Sequence, residues 1–396
     1  MIGLERRRAI AVAAAGFATF LNLYTPQAIL PDIALAFGVE LTRGGLALTL
    51  PLLAVAVVAP VAGAISDRLG RKRVIVAAAA ALLVPTLLVA SATSFEALLV
   101  WRFMQGLLLP FIFAVTVAYV GEECAGPAAI RVTGLYASGT IVGGFSGRFL
   151  AGVIADAFGW RVAFVALGLL TAVVVALIAA WLPREQKFAP MYGGLGVTLA
   201  AYAGHLRNRR LLATCAVGFG MLFSLVAAFT YVNYRLALPP YSLGPTALGA
   251  VFGVYLVGAV AAPLAARVAG RIGRRRTVAG GVALGLGGLL LTLPPSLAAV
   301  VAGLALVCIA LFVCQALALS FIGVAARGAR SAAVGLYVAI YYVGGAVGGV
   351  APNALWRWGG WPPVAALIGV VMVAMALVAA RFWPAHQPAS PDGDRV

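Results

Sequence analysis

A chain of 396 residues of which 63% are apolar and only 10% charged has too few charges to cover a soluble globule of its size. Its mean hydropathy of +1.06 makes a bilayer the solvent for most of its length. The formal charge of +17 would suggest nucleic acid in a soluble protein, but most of the 28 Lys and Arg alternate to one side of successive apolar runs. That excess reads as membrane orientation and contact with anionic lipid headgroups, with both termini in the cytoplasm and no nucleic-acid partner.

The N-terminus imitates a signal peptide, with Arg6, Arg7 and Arg8 ahead of an Ala-rich run. The apolar character continues through Leu30 without a polar cleavage region, which predicts an uncleaved first span over 9–30. Further runs at 46–65, 74–92, 98–120, 133–155 and 163–182 each approach the 20 or so residues that a crossing helix needs. A polar interruption at 183–210 reads as a cytoplasmic linker. Six more runs follow at 211–232, 247–266, 278–293, 297–324, 332–350 and 363–380, and the tail 382–396 is expected to be disordered. The four cysteines (Cys124, Cys215, Cys308, Cys314) lack metal or redox spacing, and no cofactor or metal is expected.

The two halves repeat one another. Between the second and third runs lies Gly63 to Arg73, GAISDRLGRKR, a tight aqueous hairpin because so many charges cannot lie in hydrocarbon. It returns in the second half as ARVAGRIGRRR, where Arg271, Gly273, Arg274 and Arg276 match Arg68, Gly70, Arg71 and Arg73, Pro263 matches Pro60, and Gly270 replaces Asp67. Gly134-Leu135-Tyr136 recurs as Gly335-Leu336-Tyr337, Gly143-Gly144 and Gly147 as Gly344-Gly345 and Gly348, and Gly159-Trp160 as Gly360-Trp361. The expected fold is all-α and integral to the membrane: twelve transmembrane helices in two pseudo-symmetric six-helix bundles, 1–182 and 211–381, joined by 183–210.

The hairpin resembles the loop signature G-x-x-x-D-R-x-G-R-[KR]-[KR] of the major facilitator superfamily. Arg102-Phe103-Met104-Gln105-Gly106 is similar to its fourth-helix motif, and Gly139, Gly143, Gly144, Gly147 and Gly152 around Arg148 to the fifth-helix motif of its antiporters. Pro26 with Pro31-Asp32-Ile33 resembles the end of the first helix in twelve-span drug/proton antiporters. GGFSGRFLAGVIADAFGWR, NYRL and GLYVAIYY look like the arabinose-efflux-permease-like exporters of bacteria. The resemblance implies a monomeric secondary transporter of the inner membrane, not an enzyme, moving a small molecule outward by alternating access in exchange for protons. An importer of a sugar or organic acid on the same fold is the alternative. A membrane enzyme or receptor would need catalytic clusters or an appended domain, which the sequence lacks.

For the site residues two readings stay open. Asp67, framed by Gly63, Arg68, Gly70, Arg71 and Arg73, is either a turn acid paired with a neighbouring arginine or a latch facing the start of the eleventh helix near Arg330 and Ser331. The glycines either pack helices closely or form a hinge and seal between halves. Arg102, about 9 Å inside the non-cytoplasmic face, and Arg148 either snorkel or join Asp32 in a charge network. Asn22, Tyr24, Gln27, Gln105, Tyr231, Asn233, Tyr234, Arg235, Tyr337, Tyr341 and Tyr342 are cavity candidates, although a membrane-interface belt explains a lone tyrosine equally well. Their chemistry suits a neutral or anionic organic solute. Asp32 is the one membrane-edge candidate for a proton carrier.

Overall fold

The structure, a computed structural model, describes residues 3–186, 201–326 and 329–383, and all regular structure among them is helical. The six crossings of the first half are α1 (Leu4–Tyr24), α2 (Leu46–Leu69), α3 (Arg71–Ala90), α4 (Phe95–Glu123), α5 (Gly126–Phe158) and α6 (Trp160–Trp181). Those of the second are α7 (Arg209–Ala237), α8 (Val254–Ile272), α9 (Arg274–Leu291), α10 (Leu297–Ala325), α11 (Arg330–Val350) and α12 (Trp361–Phe382). Among the described residues ten helices are long and apolar enough to cross a membrane by themselves. The eighth crossing is assembled from a short helix, Pro245–Val251, and α8, while α9 opens on three arginines. Lys187, Arg327 and the tail beyond Trp383 lie outside the described residues, as do the side chains of Pro263 and Arg330.

Proline decides where the first crossing breaks. Pro26 has no N–H for the carbonyl of Asn22, so α1 stops at Tyr24 and the chain passes through a 3₁₀ turn at Thr25–Ala28 into a second short helix, Leu30–Ala36. The single span expected over 9–30 is therefore two segments, with Asp32 on the second. Both basic hairpins turn on a glycine of positive φ, Gly70 at 91° and Gly273 at 87°, so the repeat extends to backbone conformation.

Within each half the same pair of helices meets most closely, α1 with α5 and α7 with α11. The halves meet along α2 and α11 and where the far end of α5 touches the segment ahead of α8. Both basic hairpins gather at one end of the molecule, the Arg-rich end, and the opposite end is the far end.

Candidate transport site and its gates

Arg102 shows what the fourth-helix motif does. It has no exposed surface, and its guanidinium reaches three backbone carbonyls: Nε donates to Ala47 O at 2.8 Å, and the two terminal nitrogens to Asn22 O at 2.9 Å and Leu23 O at 2.6 Å. Two of these acceptors are carbonyls that a proline four residues on has stripped of a helical donor, Asn22 by Pro26 and Ala47 by Pro51. The third belongs to the frayed last turn of α1. One turn away on the same face, Gln105 Oε1 accepts from Arg102 at 2.5 Å while its amide donates to Thr86 Oγ1 at 2.7 Å. Gly106 lets α4 lie against Pro51, where an added Cβ would come within 3.0 Å of that residue's backbone. Asn22 completes the layer, donating to Thr171 Oγ1 at 2.9 Å with Thr86 Oγ1 3.0 Å from its carbonyl oxygen. Sequence reasoning placed Asn22 and Gln105 in the cavity; they belong to a polar layer inside the first half, tying α1, α3, α4 and α6.

The expected Asp32–Arg102–Arg148 network does not form. Asp32 has no hydrogen bond or ion pair to either arginine, because the break after Tyr24 carries it past them onto the Leu30–Ala36 helix. There, burial and then the nearby carboxylate of Asp156 hold its carboxyl above the ordinary range. Arg148 is nearly fully buried but points between the halves. It donates to Gln27 Oε1 at 2.8 Å and to Gly144 O at 2.7 Å. Its guanidinium carbon lies 4.0 Å from the ring centre of Tyr24 in the first half, and 4.7 and 4.8 Å from those of Phe252 and Tyr255 in the second.

Arg148 thus belongs to a set of ties closing the far end. The Gln27 amide donates to Thr230 Oγ1 at 3.3 Å, and Asn233 donates to Gln27 O at 3.0 Å. Nearer the surface Arg357 Nε donates to Glu40 Oε1 at 2.7 Å, with a second, shorter bond to the other oxygen. Those bonds hold the Glu40 carboxyl below its usual range. Thr246 donates to Asp156 Oδ2 at 2.7 Å. No sequence signal pairs Glu40 with Arg357, since the two stand in different halves.

Three more cavity candidates belong to this end. Tyr231 bonds to Gly349 O and Asn353 and packs with Tyr234 and Trp356. Tyr234 approaches Gly45 of the other half, and Arg235 donates to the carbonyls of Thr292, Leu293 and Pro294 in the loop that follows α9. The TYVNYR cluster is therefore packed into the far end, with Asn233 and Tyr234 reaching the first half and Tyr231 and Arg235 bonded within the second.

The tyrosines of α11 are placed differently. Phe20, Tyr24 and Phe113 of the first half join Tyr342, Tyr341 and Tyr337 of the second in one continuous run of ring contacts, crossing between the halves where Phe113 and Tyr342 lie 5.8 Å apart. Gln315 on α10 donates to Tyr341 Oη at 3.1 Å. On the α5 side this surface leads toward the Arg-rich end, where Gly134, Leu135, Ala137 and Ser138 are all exposed, a wider arc than a lipid-facing stripe. Helices α2 and α11 stay packed there, with Tyr202 donating to Pro60 O at 2.9 Å and its hydroxyl lying against Gly335.

At the Arg-rich end Asp67 lies 2.5 Å from Arg71, one turn on, and Arg71 also holds Glu122 at 2.5 Å and Ser66. Among the described residues Asp67 has no partner on α11, so the turn-acid geometry is the one adopted here. Glu122 escaped the sequence reading, and Glu185, one of the polar residues of the 183–210 segment, accepts from the Lys72 amide at 3.3 Å.

The glycine motif also divides. Gly139, Gly143 and Gly147 set α5 on the carbonyls of Ala13, Phe17 and Leu21 in α1, within one half, and Gly344 and Gly348 repeat this on Phe219 and Phe223 of α7. Gly152 alone of the five approaches the other half, at Pro245 O.

Two helical bundles in one chain, tied at one end and sharing an aromatic surface between them, define a membrane carrier of small molecules. The sequence model described as Major Facilitator Superfamily matches residues 12–253 and 224–395, and the chain belongs to that family. It is similar to the inner membrane transport protein YnfM of Escherichia coli, 33% identical over 95% of this chain and 90% of that one. It is also similar to the chloramphenicol resistance protein CraA of Acinetobacter baumannii, 32% identical over 39% of this chain and 37% of that one. The crystal structure of the human organic anion transporter MFSD10 shares the fold, with a TM-score of 0.70 at 19% identity over 94% of this chain and 99% of that one.

Proposed function

We propose that this transporter exports small neutral, amphipathic organic molecules from the cytoplasm by alternating access. The observation that carries the reading is the continuous aromatic surface from Phe20 to Tyr337, served by the Gln315 amide, with Arg148 as the charged side chain stacked on it. Arg102 and Arg235 are turned onto backbone carbonyls and away from the aromatic surface, so neither donates directly to a solute held there. Basic segments facing the cytoplasm make the far end the outer gate. Export draws support from the antiporter-type glycines and from the resistance function in the name of CraA. Asp32, with its raised carboxyl beside Asp156, is the carrier proposed for proton exchange.

Everted vesicles offered a panel of neutral, anionic and cationic aromatic solutes test this directly. Uptake of the neutral members is expected, stimulated by a proton gradient that is acid inside the everted vesicles, with Tyr341→Ala and Tyr342→Ala each about tenfold slower, the loss of one desolvated aromatic contact. Uptake confined to right-side-out vesicles would make the protein an importer, and preference for anions would move the site elsewhere.

Asp67 enters the same cycle. When the Arg-rich end closes, it exchanges Arg71 for the first turn of α11, where a carboxylate meets the positive helix end. Asp67→Asn is therefore expected to slow transport about tenfold in a folded protein and to lengthen the mean distance between spin labels across the Arg-rich end. Unchanged rates and distances would leave Asp67 a hairpin acid and nothing more.

A further inference from the structure

The eleven acidic residues are distributed very unevenly. Between Glu185 and Asp392 the sequence contains no Asp or Glu, although the Arg-rich end of the second half carries Arg209, Arg210, Arg267, Arg271, Arg274, Arg275, Arg276 and Arg381. In the first half the same end is partly neutralised from within: Arg71 has Asp67 and Glu122, Arg8 has Glu123, and Arg131 has Glu5. The repeat thus keeps its cations twice and its counter-ions once. Clustered like charges repel at the edge of a low-dielectric slab, so the second set needs an anion from outside the described fold.

The structure offers a place for it. A cavity of about 350 Å³ opens at the Arg-rich end, lined by Arg209 and Arg210 from α7, Arg275 from α9, and Arg381, Phe382 and Trp383 at the end of α12. Its floor is rigid. Trp383 is fully buried, donates to Thr214 Oγ1 at 3.1 Å, packs on Phe321 at 5.3 Å, and accepts from Arg275 at its carbonyl. The side chains of Arg209, Arg210 and Arg381 have no hydrogen-bond or ion-pair partner among the described residues. Below Phe382, which is 39% exposed, α12 presents Leu377, Val373 and Val370 to the outside as one continuous apolar stripe. Positive charge above and hydrocarbon-facing surface below is the arrangement that takes a headgroup and its chain together.

We propose that this cavity binds an anionic phospholipid, with a two-phosphate headgroup held more tightly than a single phosphate. The lipid supplies the counter-charge that the first half builds from its own glutamates, and by bridging α7, α9 and α12 it braces the second bundle. The shared chemistry is a phosphate diester set among guanidinium groups, and a free phosphate differs from it in lacking the acyl chain for the α12 stripe.

The test uses the full chain, purified in detergent and stripped of lipid, with binding read by native mass spectrometry and by thermal shift. Cardiolipin is expected to bind more tightly than phosphatidylglycerol and far more tightly than phosphatidylcholine. Arg209→Gln and Arg381→Gln should each weaken cardiolipin about fivefold, and the pair multiplicatively. Arg6→Gln and Arg7→Gln, exposed at the same end of the first half, should leave it within about twofold. Each variant's melting point without lipid shows that it remains folded. Variants that bind cardiolipin like the parent, or phosphatidylcholine bound equally well, would overturn the site. Pyrophosphate stabilising the protein as much as cardiolipin would make it a soluble-anion site and overturn the lipid. A severalfold gain in cardiolipin binding on Asp392→Asn with Asp394→Asn would show the tail to be the resident counter-ion, against the proposal.

Discussion

Arg102→Lys is expected to cut transport at least about tenfold, and Arg102→Met to cost the folded protein several kcal/mol as well. The two effects separate because the guanidinium does two things. Its planar fork reaches Ala47 on α2 and Asn22 and Leu23 on α1 at once, while an ammonium on its stem is a point donor that cannot span both helices. Methionine removes the buried charge, whose desolvation opposes folding, but leaves three carbonyls in a lipid-facing protein without donors at about 1–3 kcal/mol each. The orphaned carbonyls win, because two of them were created by proline and no helical N–H can return to them. Pro51→Ala restores the amide that Ala47 O lacks, so it should recover part of the stability lost in Arg102→Met and little in the parent. Transport and melting temperature in that double-mutant cycle are the measurement. A silent lysine variant, or strictly additive losses with Pro51→Ala, would return Arg102 to the role of an anchor.

This arrangement marks how far the sequence could be read. Apolar run lengths, the two basic hairpins and the repeated glycines carried the architecture, because membrane crossings and turn glycines are set by local chemistry. The buried arginine was legible as an exceptional residue for the same reason. Its partners were not, since Pro26 and Pro51 exert their effect on carbonyls four residues back, and Arg102 finds them only once α1, α2 and α4 are packed. Asp32 was the nearest acid in depth, but depth ignores the 3₁₀ turn that carries it away. Tyr231, Tyr234 and Arg235 failed in another way: clustering of polar aromatics on one helix shows a polar face without saying which neighbour covers it. Glu40 with Arg357 and the cage around Arg148 join residues from opposite halves, and such pairs have no spacing signature.

The glycines of α5 allow the packing and gating readings to be parted by single substitutions. Gly143→Val is expected to abolish folding of the first half, seen as loss of monodisperse protein, because the new side chain would fall on the backbone of Phe17 and α1 carries the polar layer on its other face. The scale is set by the neighbour: a backbone carbonyl in a packed helix cannot rotate aside as a flexible side chain would. Gly344→Val in the second half should behave alike, since the same contact is repeated on Phe219. Gly134→Ala, with nothing within 4 Å of its added Cβ, should be silent. Gly152→Ala is the informative case. Its Cβ would meet Pro245 O across the interface that closes the far end, while both bundles remain intact. It should therefore give a normally folded protein whose far-end labels sit farther apart and whose transport is impaired. Loss of folding in Gly152→Ala would mean that the far-end contact is part of the fold itself, and that no glycine of the motif serves the gate.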